Sequence, residues 1–553
     1  MASDDKIFYV GLCMAGAVSA GAYTAGVMDY LIEALGEWEK RRGQKDVPSH
    51  RVVIPVIGGA SAGGMTGVIT AAALNNPIGP VPMPGSGAIL NEQPQNKFYH
   101  TWVDLVKKDM FPIMLDSSDI NRDKAIVSLL NSDFIDQIAE QVIRVDPSNL
   151  KEIPPFFDSQ LKLFTTLTNL EGFAYNVGFK ANIAGSNYYM AIHNDYACFK
   201  LNPESEEDGW IPLDFRNGIN VATARDAAMS TGAFPAGLKS RTLKRESKYV
   251  NKNPWLKGVT DVNPIQTQTL STLNVDGGVI NNEPFERVRE VLTGITGQSN
   301  IDEYQAFGTF KSTVLMIDPF PSEKPQAFVP DQHLFRVMGL TLNAMMEQLR
   351  AKPANLVDAM DSNKAGQYLI APSRIRPKLT GEQELVQGSK AIACGGFDGF
   401  SGFMNKEFRV HDYFLGRFNC EMFLRNYFTI PFEALDKNEI FRQGYAGVNK
   451  DLYKSKDGSL QIIPIFSPSR DGYFPIPVFS SGSTWPVIED AAIERFRSMI
   501  KARVQAIILN SLKANKILLW LGAKILLNKL LTNAAMNTIK NALKEHQLLK
   551  GKN

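Results

Sequence analysis

The sequence predicts an α/β fold, with a mainly parallel central sheet covered by helices. Two strand, small-residue turn and helix units follow one another within the first 74 residues, and further strand-like runs return downstream. A hydrophobic content of 44% and a charged content of 21% over 553 residues belong to a globular protein with a large core and more than one structural unit.

The first unit runs from a buried strand at Lys6 to Met14, through the small residues Ala15 to Gly26, into a helical pattern that reaches about Arg42. The second has a β-branched strand at Arg51 to Ile57, a turn at Gly58 to Gly64 and a buried helix at Met65 to Leu74. From Asn76 to Gln95 the chain is rich in Pro, Gly and Asn and reads as a surface excursion; a helix around Phe98 to Lys108 follows. Strands are expected at Lys162 to Leu170, Tyr188 to His193, Ser271 to Val275 and Ser312 to Ile317. Helices are expected at Val221 to Met229, stopped before Pro235, and from about Leu334 to Leu349. The Gly/Phe-rich run Gly395 to Phe403 reads as a hydrophobic contact surface or, alternatively, as an acyl-chain tunnel.

The formal charge of +2 carries no field that would attract nucleic acid, and none is expected as a partner. Charge is instead concentrated at one end. Between residues 501 and 553 ten basic residues face one acid, Glu545, a net +9, and the lysines alternate with Ile, Leu and Trp. This is the pattern of basic amphipathic helices that lie on a membrane surface. Lys516, Lys524 and Lys529 interrupt the apolar runs, so none approaches the roughly 20 residues needed to cross a bilayer. The polar start of the chain resembles no secretory leader, and a cytoplasmic protein, peripheral to the membrane at most, is expected. Cys13, Cys198, Cys394 and Cys420 form no C-x-x-C pair and read as buried free thiols. No metal or cofactor site is expected, since there is no G-K-[ST] loop and no His or acid spacing that suggests a ligand set.

Gly59-Ala60-Ser61-Ala62-Gly63 is a G-x-S-x-G sequence between a strand and a helix, the setting of a nucleophile elbow. Taken alone it reads equally as a small-residue packing turn or a phosphate-binding loop. If Ser61 is a nucleophile, the N–H of Ala62 and the helix N-terminus face the developing oxyanion. The turn Gly16-Ala17-Val18 offers further backbone donors, each worth on the order of 3 kcal/mol. A serine also needs a base. None of the six histidines sits in a glycine-rich strand end; His193 has the best position and reads as structural. Asp276 ends a strand and precedes Gly277 and Gly278, where an open sheet presents functional groups, although Asp-Gly is also a common turn.

An early small-residue turn, G-x-S-x-G, the segment Ala224 to Pro235 and a distant Asp-Gly-Gly, in that order, resemble the patatin-like phospholipase family across roughly residues 6 to 285. The resemblance implies a three-layer fold with a helical C-terminal extension, and a Ser-Asp dyad without histidine. Ser61 would then be the nucleophile and Asp276 its proton acceptor; Gly16, Ala17, Val18 and Ala62 would form the oxyanion hole, and Gly59 and Gly63 the elbow. Lipid acyl esters, most often phospholipids, would be the substrates. Gly16-Ala17-Val18 replaces the three glycines of the commonest family form, and Ala20 stands at its arginine position. Alanine and valine suit such a turn if it avoids φ > 0. The implied organisation is a catalytic domain over 1–320 with an insertion or lid at 80–125, an α/β extension over 321–490 and a cationic helical tail over 491–553. Similar bacterial proteins of this length are membrane-damaging effectors switched on by a signal, which makes residues 300 to 490 candidates for regulation or homo-oligomer formation. Two alternatives stand beside this reading: a non-catalytic membrane-binding or regulatory protein that keeps the fold, and a histidine-assisted α/β-hydrolase.

Overall fold

The computed structural model describes residues 6–82, 91–105, 110–123, 125–177, 188–321, a few positions between 330 and 344, 365–377, 381–467, 476–511 and 517–550. The elements that position the site are β1 (Ile7–Met14), α1 (Gly21–Arg41), β2 (Arg51–Gly59), α2 (Ser61–Ala73) and α3 (Asp133–Val142). They continue with β3 (Phe157–Val177), β4 (Tyr188–Leu201), β5 (Ile211–Leu213), α4 (Val221–Thr231), β6 (Arg241–Glu246), β7 (Thr269–Asp276), α5 (Phe285–Thr296), β8 (Ser312–Ile317), β9 (Gln367–Ile370), α6 (Lys406–Asn426), α7 (Phe496–Ser511) and α8 (Ile517–Glu545).

These strands form a nine-stranded sheet in the order β5-β4-β3-β2-β1-β8-β9, with the β6-β7 hairpin attached to β3 through β7. The run from β3 through β9 is parallel, while β4, β6 and β7 bring antiparallel pairing. β1 shows why both faces are covered: Leu12 and Met14 enter the larger core, whereas Cys13 on the opposite side joins a smaller one with Val288 and Leu292 of α5. Helices on each side of one sheet make three layers, the predicted fold class. All four cysteines are free and buried.

α1 and α6 cross closely over the larger core. A methyl on Gly26 would lie 1.9 Å from the carbonyl oxygen of Tyr413, and one on Gly416 would lie 2.2 Å from that of Tyr23. The described residues 367–370 and 406–426 therefore belong to the same body: β9 lengthens the central sheet, and α6 packs against α1 and β9.

The segment predicted as a helix at 98–108 is a helical turn at Lys97–Tyr99 and a π-helical stretch at His100–Asp104; positions 106–109 lie outside the described residues. Most of the helix expected at 334–349 also lies outside them. The cationic segment forms α7 and α8. α7 is tied to the segment around Asp119 by Arg503, whose buried guanidinium bonds Asp119 at 2.8 Å. Among the described residues no helix is long and apolar enough to cross a membrane.

Candidate active site

Sheet register brings the two candidate reactive residues together. Gly59, the last residue of β2, pairs with Thr165 of β3, and Ser61 follows two residues later. Two residues beyond Thr165, Leu167 pairs with Asp276 at the end of β7. Ser61 and Asp276 thus come from two strands that both pair with β3, two residues apart along it, and the Ser61 hydroxyl donates to Asp276 Oδ2 at 2.6 Å. Both are buried, at 6% and 5% exposure.

The turn at Ser61 is strained and tightly packed. Ser61 has φ +50°, an uncommon conformation for a residue other than glycine. A methyl on Gly63 would lie 2.3 Å from the carbonyl oxygen of Met14, so α2 can start against β1 only with glycine there; one on Gly59 would lie 2.7 Å from the backbone of Gly63 and Gly64. The Ser61 N–H donates to Thr231 Oγ1, at the end of α4, at 2.9 Å.

Asp276 is fixed on every side. Its N–H donates to the Ala233 carbonyl at 2.9 Å, its carbonyl accepts from Thr168 Oγ1 at 2.8 Å, and its Oδ1 accepts from the Gly278 N–H at 2.8 Å. Gly277 opens the turn against the backbone of Thr166. Burial pushes the Asp276 carboxyl up to about 6; the hydrogen bonds from Ser61 and Gly278 act in the opposite direction.

The four oxyanion candidates fare differently. Val18 and Ala62 line one cavity together with Ser61 and Asp276, and neither N–H has an acceptor among the described residues. Gly16 does not: its N–H donates to Asn282 Oδ1 at 3.1 Å, and neither it nor Ala17 lines the cavity. Val18 has φ +47°. The condition under which valine would suit this turn, that it avoids φ > 0, is therefore not met at Val18. Tertiary contacts hold the valine there: Ser19 N–H donates to the Gly399 carbonyl at 3.1 Å, Ser19 Oγ donates to that same carbonyl, and Gly402 N–H donates to Ser19 Oγ at 3.1 Å.

The cavity, about 110 Å³, is lined mainly by carbon: Met65, Val68, Ile69, Trp102, Phe134, Ile138, Val142, Phe234, Leu238 and Phe403. Of the Gly/Phe-rich run, Phe403 reaches this wall while Phe400 stacks edge-on against Phe234. No histidine lines it among the described residues; His193 Nδ1 instead pairs with the Asn169 carbonyl at 2.8 Å.

In comparison with known proteins, residues 12–289 match the family described as Patatin-like phospholipase. The chain belongs to the patatin-like phospholipase family. It is 30% identical to an uncharacterized protein of Sinorhizobium fredii, y4iI, over 90% of this chain and 75% of that one. The crystal structure of VipD from Legionella pneumophila aligns with 97% of this chain and 90% of its own at 12% identity, but its TM-score of 0.22 is too low to define a shared fold.

Thr231, Thr168 and Asn282 were not singled out by sequence reasoning. Thr231 falls inside the recognised Ala224 to Pro235 segment, so that motif carried a signal. Asn282 stands in a turn with no pattern of its own, and the Ser19 clamp joins residues about 380 positions apart.

Proposed function

We propose that the protein is a phospholipase A-type acyl hydrolase acting through a Ser61-Asp276 dyad and an acyl-enzyme intermediate. The observation that carries this reading is the 2.6 Å hydrogen bond from Ser61 to a buried aspartate in an apolar cavity. Asp276 takes the Ser61 proton as the hydroxyl attacks an ester carbonyl. The N–H groups of Val18 and Ala62, with the N-terminus of α2 behind them, receive the oxyanion. Asp276 then returns its proton to the leaving alkoxide, and water releases the acyl group by the same route in reverse. Desolvation favours this role, because a carboxyl near 6 is a stronger base than an ordinary aspartate and is still ionised at neutral pH.

The cationic tail serves as a peripheral membrane contact in this reading, at the cytoplasmic leaflet. Leu509, Leu527, Leu530 and Leu531 are exposed beside the exposed Lys529, a mixed apolar and basic surface suited to an anionic leaflet. Other tail cations are engaged on the protein itself: Lys540 pairs with Asp490 and Glu494, and Arg503 is buried.

The test is labelling with a fluorophosphonate serine probe alongside fatty-acid release from phospholipid vesicles. Wild type should label and release fatty acid, and Ser61→Ala and Asp276→Ala should each lose at least about a thousandfold of both. Full labelling of Ser61→Ala would refute the assignment.

A further inference from the structure

The cavity at Ser61 does not end at its apolar wall. Arg225, Met229, Lys239 and Arg241 line it and also line a second, outward cavity of about 490 Å³. α3 separates the two by its own periodicity. Phe134, Ile138 and Val142, four residues apart, face the inner chamber, while Asp136, Gln137 and Glu140 face the outer one.

Most charges of the outer chamber are already committed to one another. Arg241 pairs with Asp136 at 2.5 Å, and Arg225 with Asp226 at 2.8 Å. Two remain. Lys239 makes no ion pair among the described residues, although its charge reaches Asp123 across solvent and helps lower that carboxyl. Among the described residues Glu140 meets only the exposed Arg144, at 3.8 Å, the limit of an ion pair, and is itself 60% exposed. Lys239 lines both chambers and Glu140 only the outer one. Passing from the chamber of Ser61 into the outer one, a ligand therefore meets the cation first and the anion second, while the apolar wall stays with Ser61 in the inner chamber.

That order is the order of a zwitterionic glycerophospholipid. Its ester lies between an acyl chain and a phosphate, and its ammonium lies beyond the phosphate. We infer that the outer chamber is a headgroup subsite for such a lipid, with Lys239 on the phosphate and Glu140 on the ammonium. The inference rests on the proposed hydrolase for the ester's position at Ser61, while the binding itself needs no reaction. An anionic lipid with an uncharged headgroup would use Lys239 and leave Glu140 idle, so the two residues separate headgroup classes.

The experiment uses the full chain carrying Ser61→Ala, which holds lipid without turning it over. Dihexanoylphosphatidylcholine and dihexanoylphosphatidylglycerol are titrated below their micelle concentrations by calorimetry. The parent should bind the choline lipid more tightly. Adding Lys239→Gln should weaken both lipids about tenfold, adding Glu140→Gln should weaken the choline lipid alone about threefold to fivefold, and adding Glu140→Lys should invert the preference. Lys239 and Glu140 stand at a solvent-facing rim, so folding is not at stake. Binding of both lipids within twofold of the parent in every variant, or binding of neither by the parent, would overturn the subsite. Failure of the serine probe to label wild type would refute the hydrolase and leave this result standing by itself.

Discussion

β1 and β2 are parallel neighbours whose ends pair Met14 beside Gly59, and each ends in a strained turn into a helix. Each turn holds one residue other than glycine in the left-handed region, Val18 at φ +47° and Ser61 at φ +50°. What holds them there differs. The Ser61 turn is braced by Gly59 and Gly63 within two residues of it, with Thr231 receiving its amide. The Val18 turn is braced from far along the chain, by Asn282 on one side and by Gly399 and Gly402 on the other. A strained site can therefore be written locally or imposed by tertiary packing, and only the first kind leaves a motif.

The largest expected effect tests the locally written side. With Asp276 as base, kcat/KM on an uncharged ester should be flat above its carboxyl value of about 6 and fall tenfold per pH unit below it, on the order of 100-fold by pH 4. Stability should move in the opposite sense. A carboxyl raised from 3.8 to about 6 favours the protonated fold; its contribution is complete below 3.8 and is lost as pH rises through about 6. Asp276→Asn keeps that contribution at every pH. Its unfolding midpoint should exceed that of wild type at pH 8, by an amount worth roughly 1–3 kcal/mol, and match it near pH 4. A rate profile flat from pH 4 to 8 would remove Asp276 from the role of base.

The same contrast explains how much was legible in the sequence. The strand, turn and helix units, G-x-S-x-G and Asp-Gly-Gly each lie within a few consecutive residues, so periodicity and small-residue turns exposed the parallel sheet and the two residues that meet at 2.6 Å. Thr231 contacts Ser61 across 170 positions, and the Gly399 and Gly402 clamp reaches Ser19 across about 380; neither pairing has a local signature. The outward division of labour along α3 was also invisible, because residues 133–142 show amphipathicity without saying which chamber each face lines. The positive φ of Val18 was not legible for a related reason. Steric preference counts the cost of a β-branched residue at φ > 0, but not the hydrogen bonds that hold its neighbour in place.

A smaller effect tests the side imposed from a distance. Ser19→Ala removes the hydroxyl that donates to the Gly399 carbonyl and accepts from the Gly402 N–H, while the backbone bond from Ser19 N–H to Gly399 remains. The turn should loosen without collapsing. Because Val18 then presents its N–H less often in the right place, kcat should fall about tenfold with KM within about twofold, the signature of a group felt in the transition state. An unchanged kcat would show that the Gly/Phe-rich run packs against this turn without steadying it.

The smallest effect concerns the strain itself. A β-branched residue at φ +47° costs on the order of 1–2 kcal/mol, which glycine avoids, while glycine gives back roughly 0.5–1 kcal/mol through its freer unfolded chain. Val18→Gly also restores the residue type of the commonest family form. The balance favours the variant by about 0–1.5 kcal/mol, so its unfolding midpoint should rise slightly, and probe labelling should slow by no more than about threefold. A clear fall in the midpoint would mean that the contact between Val18 and Gly399 stabilises the fold by more than the backbone strain costs, making the valine a packing residue first. That outcome would erase the difference between the two turns, since both would then be held by what their side chains touch.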